Sequence, residues 1–207
     1  MKRDTAAGLT LFVATILFGL GIAIRSQFNP WLLNFVAGFA SCMLAVAVLR
    51  KGLLELIEVR RNAALGAVAL GVVMVALTHV GYRGMVMAVP ALQGVVEGLY
   101  EDIRLTAPPM ALMIPLIGFI VVAEELIWRG VAFQLLEPRM SKVQIVFAST
   151  FLYALPQVIG GAWLLLVTAL FVGGVFSVQR AMSGRISEAI LTHATWSISI
   201  FGVLPLT

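Results

Sequence analysis

Gly118-Phe-Ile-Val-Val-Ala-Glu124-Glu125-Leu-Ile-Trp-Arg129-Gly130 decides how the rest of this sequence is read. It lies inside an apolar run from Pro109 to Gln134, long enough to cross a bilayer as a helix. Each ionisable residue in such a helix costs about 2.5–3.5 kcal/mol even on a lenient insertion scale. Glu124, Glu125 and Arg129 therefore need a reason. Glu125 and Arg129 stand four apart with the acid on the amino-terminal side, the better orientation for an ion pair. Glu124 points about 100° away and has no local counterion. An ion-paired patch cementing a helix bundle accounts for Glu125 and Arg129 but not for Glu124. A reactive site accounts for all three, with Arg129 holding Glu125 while Glu124, partly desolvated, serves as general base.

The composition extends the membrane reading to the whole chain. Of 207 residues, 61% are hydrophobic and only 12% charged, with mean hydropathy +1.03. A soluble domain carries about a quarter charged residues, so this chain could not cover its surface in water. Long apolar runs without two-residue alternation favour helices over a barrel. The predicted fold is all-α: a polytopic transmembrane bundle of about seven spans forming one membrane domain over 1–207. Expected spans are Ala6–Ile24, Trp31–Leu49, Ala63–Val80, Pro109–Gln134, Val143–Gln157, Ala162–Val178 and Ile186–Leu204. Spans one to three (1–82) read as accessory and 109–204 as the functional core. Gly160-Gly161 is expected to make the tight turn between spans five and six. The start, Met1-Lys2-Arg3-Asp4 and an apolar run, resembles a signal sequence but is longer than a cleavable one, and is read as a retained span.

Basic residues set the expected orientation. Lys2, Arg3, Arg50, Lys51, Arg60, Arg61, Arg139, Lys142, Arg180 and Arg185 fall in loops on one side, against Arg25, Arg83 and Arg104 on the other. The positive-inside rule places the amino terminus in the cytoplasm and the carboxyl terminus outside. The compact chain fits a bacterial cytoplasmic membrane, and the scattered basic residues point to topology and not to nucleic acid. Between spans three and four, residues 83–108 form an outer interfacial segment. There Leu92, Val95, Val96, Leu99 and Ile103 recur at helical spacing, with Glu97, Glu101, Asp102 and Arg104 elsewhere, predicting an amphipathic helix. Such a helix serves either as a connector or at a substrate entrance.

Other polar residues inside spans are candidate partners for Glu124. Span seven carries His193 in Ile190-Leu-Thr-His-Ala-Thr-Trp-Ser197, about 12 Å in from Arg185 at 1.5 Å per residue. Ser197 is one turn further on the same face. Span five offers Tyr153 and Gln157, also four apart; glutamine donates and accepts hydrogen bonds but is no base. His79 is placed near the outer end of span three. Cys42, the single cysteine, reads as packing. Gly173-Gly174 permits close helix approach. A hydrolytic zinc site needs about three ligands and an open position. Glu124, Glu125 and His193 barely make three and Arg129 repels a cation, so neither metal nor cofactor is expected.

At these residues, from about Pro109 to Ile200, the sequence resembles the CAAX prenyl endopeptidase and bacteriocin-processing family of intramembrane proteases. The family's first motif, two glutamates, three residues and an arginine followed by glycine, stands intact as Glu124-Glu125-Leu-Ile-Trp-Arg129-Gly130. The second, an aromatic residue and a histidine four positions later, reads Tyr153-Ala-Leu-Pro-Gln157. The third, histidine then usually asparagine four later, reads His193-Ala-Thr-Trp-Ser197. The resemblance implies a metal-independent endopeptidase in the lipid bilayer, acting on a membrane-associated peptide or protein. Glu124 would activate a water, Glu125 and Arg129 would support it, and His193, Ser197 and Gln157 would hold the water and the oxyanion. Two other readings stand beside it. A catalytically degenerate relative would act as a membrane binding, immunity or chaperone protein, and a proton-coupled transporter would use Glu124 and His193.

Overall fold

The computed structural model describes residues 3–50 and 52–206, with residue 102 as backbone alone. Lys2 and Lys51, both counted in the charge asymmetry, and the Asp102 side chain lie outside the described residues. Every regular element among the described residues is helical. Six helices are long and apolar enough to cross a membrane: α1 (Arg3–Ala23), α2 (Pro30–Leu49), α4 (Arg61–Ala88), α6 (Met110–Leu136), α7 (Lys142–Ile159) and α8 (Trp163–Ser183). Between them lie the short α3 (Leu53–Ile57) and the amphipathic α5 (Ala91–Leu105). Many large apolar side chains, Phe12, Leu32, Phe39, Phe147 and Phe151 among them, face outward, as lipid-facing positions should.

The seventh expected span is shorter than the other six. α9 (Ser187–Ile198) is a 12-residue α-helix continued by a five-residue π-helix, Ser199–Val203. It nevertheless runs from one face of the bundle to the other. At its start Ser187 Oγ donates to Glu58 O (2.8 Å), and beyond its end Leu204 O lies 3.1 Å from His79 Nε2. A second difference concerns span three. α4 continues through residues 81–88, so the segment between spans three and four begins later than the loss of hydropathy suggests.

Local chemistry sets the helix ends. Asn29 caps α2, its side chain accepting from the Trp31 and Leu32 amides, with Pro30 in the first turn. Ser141 and Gln144 form a capping box at the start of α7. The expected turn at Gly160-Gly161 is present, and Gly161 takes the left-handed φ of 64° that it needs.

Loops expected on one side do meet. Arg139 pairs with Asp4 (2.6 Å), Arg3 donates to Gln134 (2.7 Å), Arg185 pairs with Glu58 (2.7 Å) and Arg180 with Glu137 (3.3 Å). On the opposite face Trp31 Nε1 donates to Ile103 O (2.9 Å) and Tyr100 Oη to Ile200 O (2.9 Å), which ties down α5. In α5 Leu92, Val96, Leu99 and Ile103 of the expected stripe are buried or half-buried and Tyr100 joins them, while Val95 alone of the stripe is exposed. Burial pushes the Tyr100 hydroxyl up to about 12.

Small residues let the helices close on the core. At Gly71 of α4 a Cβ would lie 2.7 Å from Thr195 of α9, and Thr192 Oγ1 donates to Ala67 O across the same contact (2.9 Å). Gly130 of α6 sits against Leu49 of α2 in the same way.

Candidate active site

The glutamate pair sits where α6 changes its winding. Up to Glu125 the helix is α; Leu126–Val131 is a π-helical turn, after which α geometry resumes to Leu136. Such turns leave backbone carbonyls without their usual partners and are frequent at functional sites. Here the side chains of neighbouring helices take them up: Ser149 Oγ donates to Trp128 O (2.7 Å) and Arg180 Nε to Arg129 O (3.1 Å).

Glu125 and Arg129 are fully buried and joined at 3.2 Å, as the four-residue spacing predicts. Arg129 also donates to the carbonyl of Gly173 on α8 (2.8 Å). Its guanidinium lies 4.6 Å from the Tyr153 ring centre and 5.4 Å from that of Phe176. The missing side chain at Gly173 makes this possible. A Cβ there would be 2.6 Å from Tyr153 Cδ1 and 3.3 Å from Arg129 Nη2. The expected close approach at this glycine is therefore internal to the bundle.

His193, 3% exposed, joins the two carboxylates. Its Nδ1 lies 2.9 Å from Glu125 Oε1, the oxygen that also receives Arg129, and its Nε2 lies 3.7 Å from Glu124 Oε2. An ionised Glu125 only accepts, which assigns the Nδ1 proton to this bond and turns Nε2 toward Glu124. The Nε2–Oε2 separation is beyond a direct hydrogen bond and within the reach of a bridging water. Phe176 stacks on the imidazole at 4.5 Å between centres, with planes 24° apart.

Glu124 is the member of the group that meets open space. Its side chain is 18% exposed and lines a cavity of about 210 Å³. Tyr153, Gln157, His193 and Ser197 share that lining, and apolar residues from α5, α6, α8 and α9 cover most of the rest. Gln157 Oε1 is buried and has no hydrogen-bond partner among the described residues. The structure thus gathers every site residue expected from the sequence around one group: Glu124, Gln157, His193 and Ser197 on the cavity, Glu125 and Arg129 behind it. His79 is outside the lining. Sequence reasoning placed Tyr153 beside Gln157 but missed its hydroxyl contact with Glu124 Oε2 at 3.5 Å, the Gly173 carbonyl and the Phe176 stack. Each depends on contact between segments distant in sequence.

Residues 105–199 match the family of type II CAAX prenyl endopeptidases described as Rce1-like. The match bears out the resemblance read from the glutamate motif. No curated protein and no solved structure matches the chain. The Rce1-like segment contains Glu124, Glu125, Arg129, Gln157, His193 and Ser197. It does not supply the whole cavity wall, because Ile22, Arg25, Trp31, Asn34, Leu99 and Ile103 line it from outside the match. The match covers less than half of the chain, and the family it describes is one of CAAX-type endopeptidases.

Proposed function

We propose that this chain is an intramembrane endopeptidase in which Glu124 is the general base. The observation that carries the reading is the placement of Glu124 at the wall of an apolar cavity, 3.7 Å from a histidine that Glu125 holds from the other side. In the proposed cycle Glu124 takes a proton from a water in the cavity. The resulting hydroxide attacks the carbonyl carbon of the scissile peptide. Ser197 and the Gln157 amide donate to the oxyanion, a role worth about 2.7–4 kcal/mol per donor in other hydrolases. When the C–N bond breaks, Glu124 returns the proton to the leaving amine. The mainly apolar lining suits a membrane-associated peptide or protein, and the family's description points to a prenylated CAAX segment.

The test uses the purified protein in lipid nanodiscs with fluorogenic CAAX peptides, one prenylated and one not. Wild type cleaves the prenylated peptide and Glu124→Gln does not. Equal cleavage by both variants refutes the mechanism.

Gln157 favours a second reading, a binding or immunity protein that keeps the fold without the chemistry. Glutamine at this position cannot take a proton, and its carbonyl oxygen has no partner among the described residues. On that reading Glu124→Gln leaves the cellular phenotype intact.

A further inference from the structure

The Tyr153 side chain is fixed more tightly than a filler of the core requires. One contact of its ring is the Arg129 guanidinium at 4.6 Å, and another is the bare backbone of Gly173, where no side chain would fit. Trp128 and His193 meet it edge-on, both with ring centres 6.3 Å away. The hydroxyl at the far end of this ring lies 3.5 Å from Glu124 Oε2. That is long for an O–H···O bond, as catalytic hydrogen bonds often are before substrate arrives. The same oxygen, Oε2, is the one that faces His193 Nε2. Both polar groups placed against Glu124 therefore converge on a single carboxylate oxygen.

We propose that Tyr153 is the positioning residue for Glu124: its hydroxyl donates to Oε2 and turns Oε1 toward the cavity, where the water is. The inference rests on Glu124 being the base, and it names which oxygen acts. The tyrosine ring serves the buried arginine and the hydroxyl serves the reactive carboxylate, so the two jobs can be separated by removing one atom.

Tyr153→Phe keeps the ring on Arg129 and Gly173 and deletes the donor. With the prenylated fluorogenic peptide in nanodiscs, kcat falls about tenfold, the scale of one hydrogen bond to a charged group, and KM stays as in wild type. A ring needed only for packing leaves both constants unchanged. The second arm places Tyr153→Phe in a Glu124→Asp background, where the carboxylate is drawn back from the hydroxyl. There the added loss shrinks to less than about twofold, because coupled residues are not additive. A tenfold loss in both backgrounds overturns the proposal, as does a Tyr153→Phe enzyme that turns over like wild type while Glu124→Gln is inactive. Turnover by Glu124→Gln equal to wild type overturns the proposed function itself, and this proposal with it.

Discussion

On one side of α6, Glu125 is fully buried, with one oxygen receiving both Arg129 and His193. One residue back, Glu124 keeps 18% of its side chain open to a cavity, with a hydroxyl at 3.5 Å and an imidazole at 3.7 Å. Identical side chains adjacent in sequence thus have different surroundings because the helix turns them about 100° apart. The first region is a buried network in which a charge is balanced by fixed partners. The second is the part of the same network that faces the cavity. The difference teaches that the clamp should dominate stability and the cavity side should dominate turnover.

Substitutions on the two sides test that division, the clamp first. Arg129→Ala leaves Glu125 as an uncompensated buried charge and should cost about 3–5 kcal/mol. Thermal unfolding in detergent and abundance in membranes measure it, and a melting curve unchanged from wild type breaks the comparison. Gly173→Ala pushes a methyl group into Tyr153 and against Arg129. Overpacking of this kind costs about 1–3 kcal/mol, read in the same unfolding experiment. On the cavity side Gln157→His restores a group able to take a proton beside Glu124. It should raise kcat about tenfold, less than the full ~10²–10⁴-fold of general acid–base catalysis because Glu124 is already the base, with little change in unfolding temperature. Unaltered peptide turnover would show that position 157 does not touch the reacting water. Away from both regions, His79→Ala removes an exposed contact with the Leu204 carbonyl. Its effect on stability should stay within about 0.5 kcal/mol, and a larger loss would mean the carboxyl-terminal π-helix depends on this bond.

What the sequence made legible follows the same division. The Glu125–Arg129 clamp was readable because helical spacing fixes four-residue neighbours before any tertiary contact forms. The membrane fold was readable because apolar runs and basic loops are local signals. Glu124's partners were harder to see. His193 and Gln157 were readable as polar residues inside spans, but the bond from His193 to Glu125 needs the relative rotation of α6 and α9, which no local pattern encodes. Tyr153 was legible as a polar side chain on the Gln157 face of its span, but its approach to Glu124 comes from contact with another helix. The π turn at Leu126–Val131 leaves no mark in composition, and the groups that reach its carbonyls, Ser149 and Arg180, come from α7 and α8. The continuation of α4 to Ala88 was hidden by falling hydropathy, although helical hydrogen bonding does not stop where the apolar run ends.

The most direct test of the central claim is a matched comparison of Glu124→Gln with wild type in nanodiscs, measuring unfolding temperature and cleavage of the prenylated peptide on the same samples. With Glu124 as the base, the unfolding temperature stays close to wild type and turnover falls by a factor of about 10² or more. Cleavage at the wild-type rate by a folded Glu124→Gln protein would contradict it.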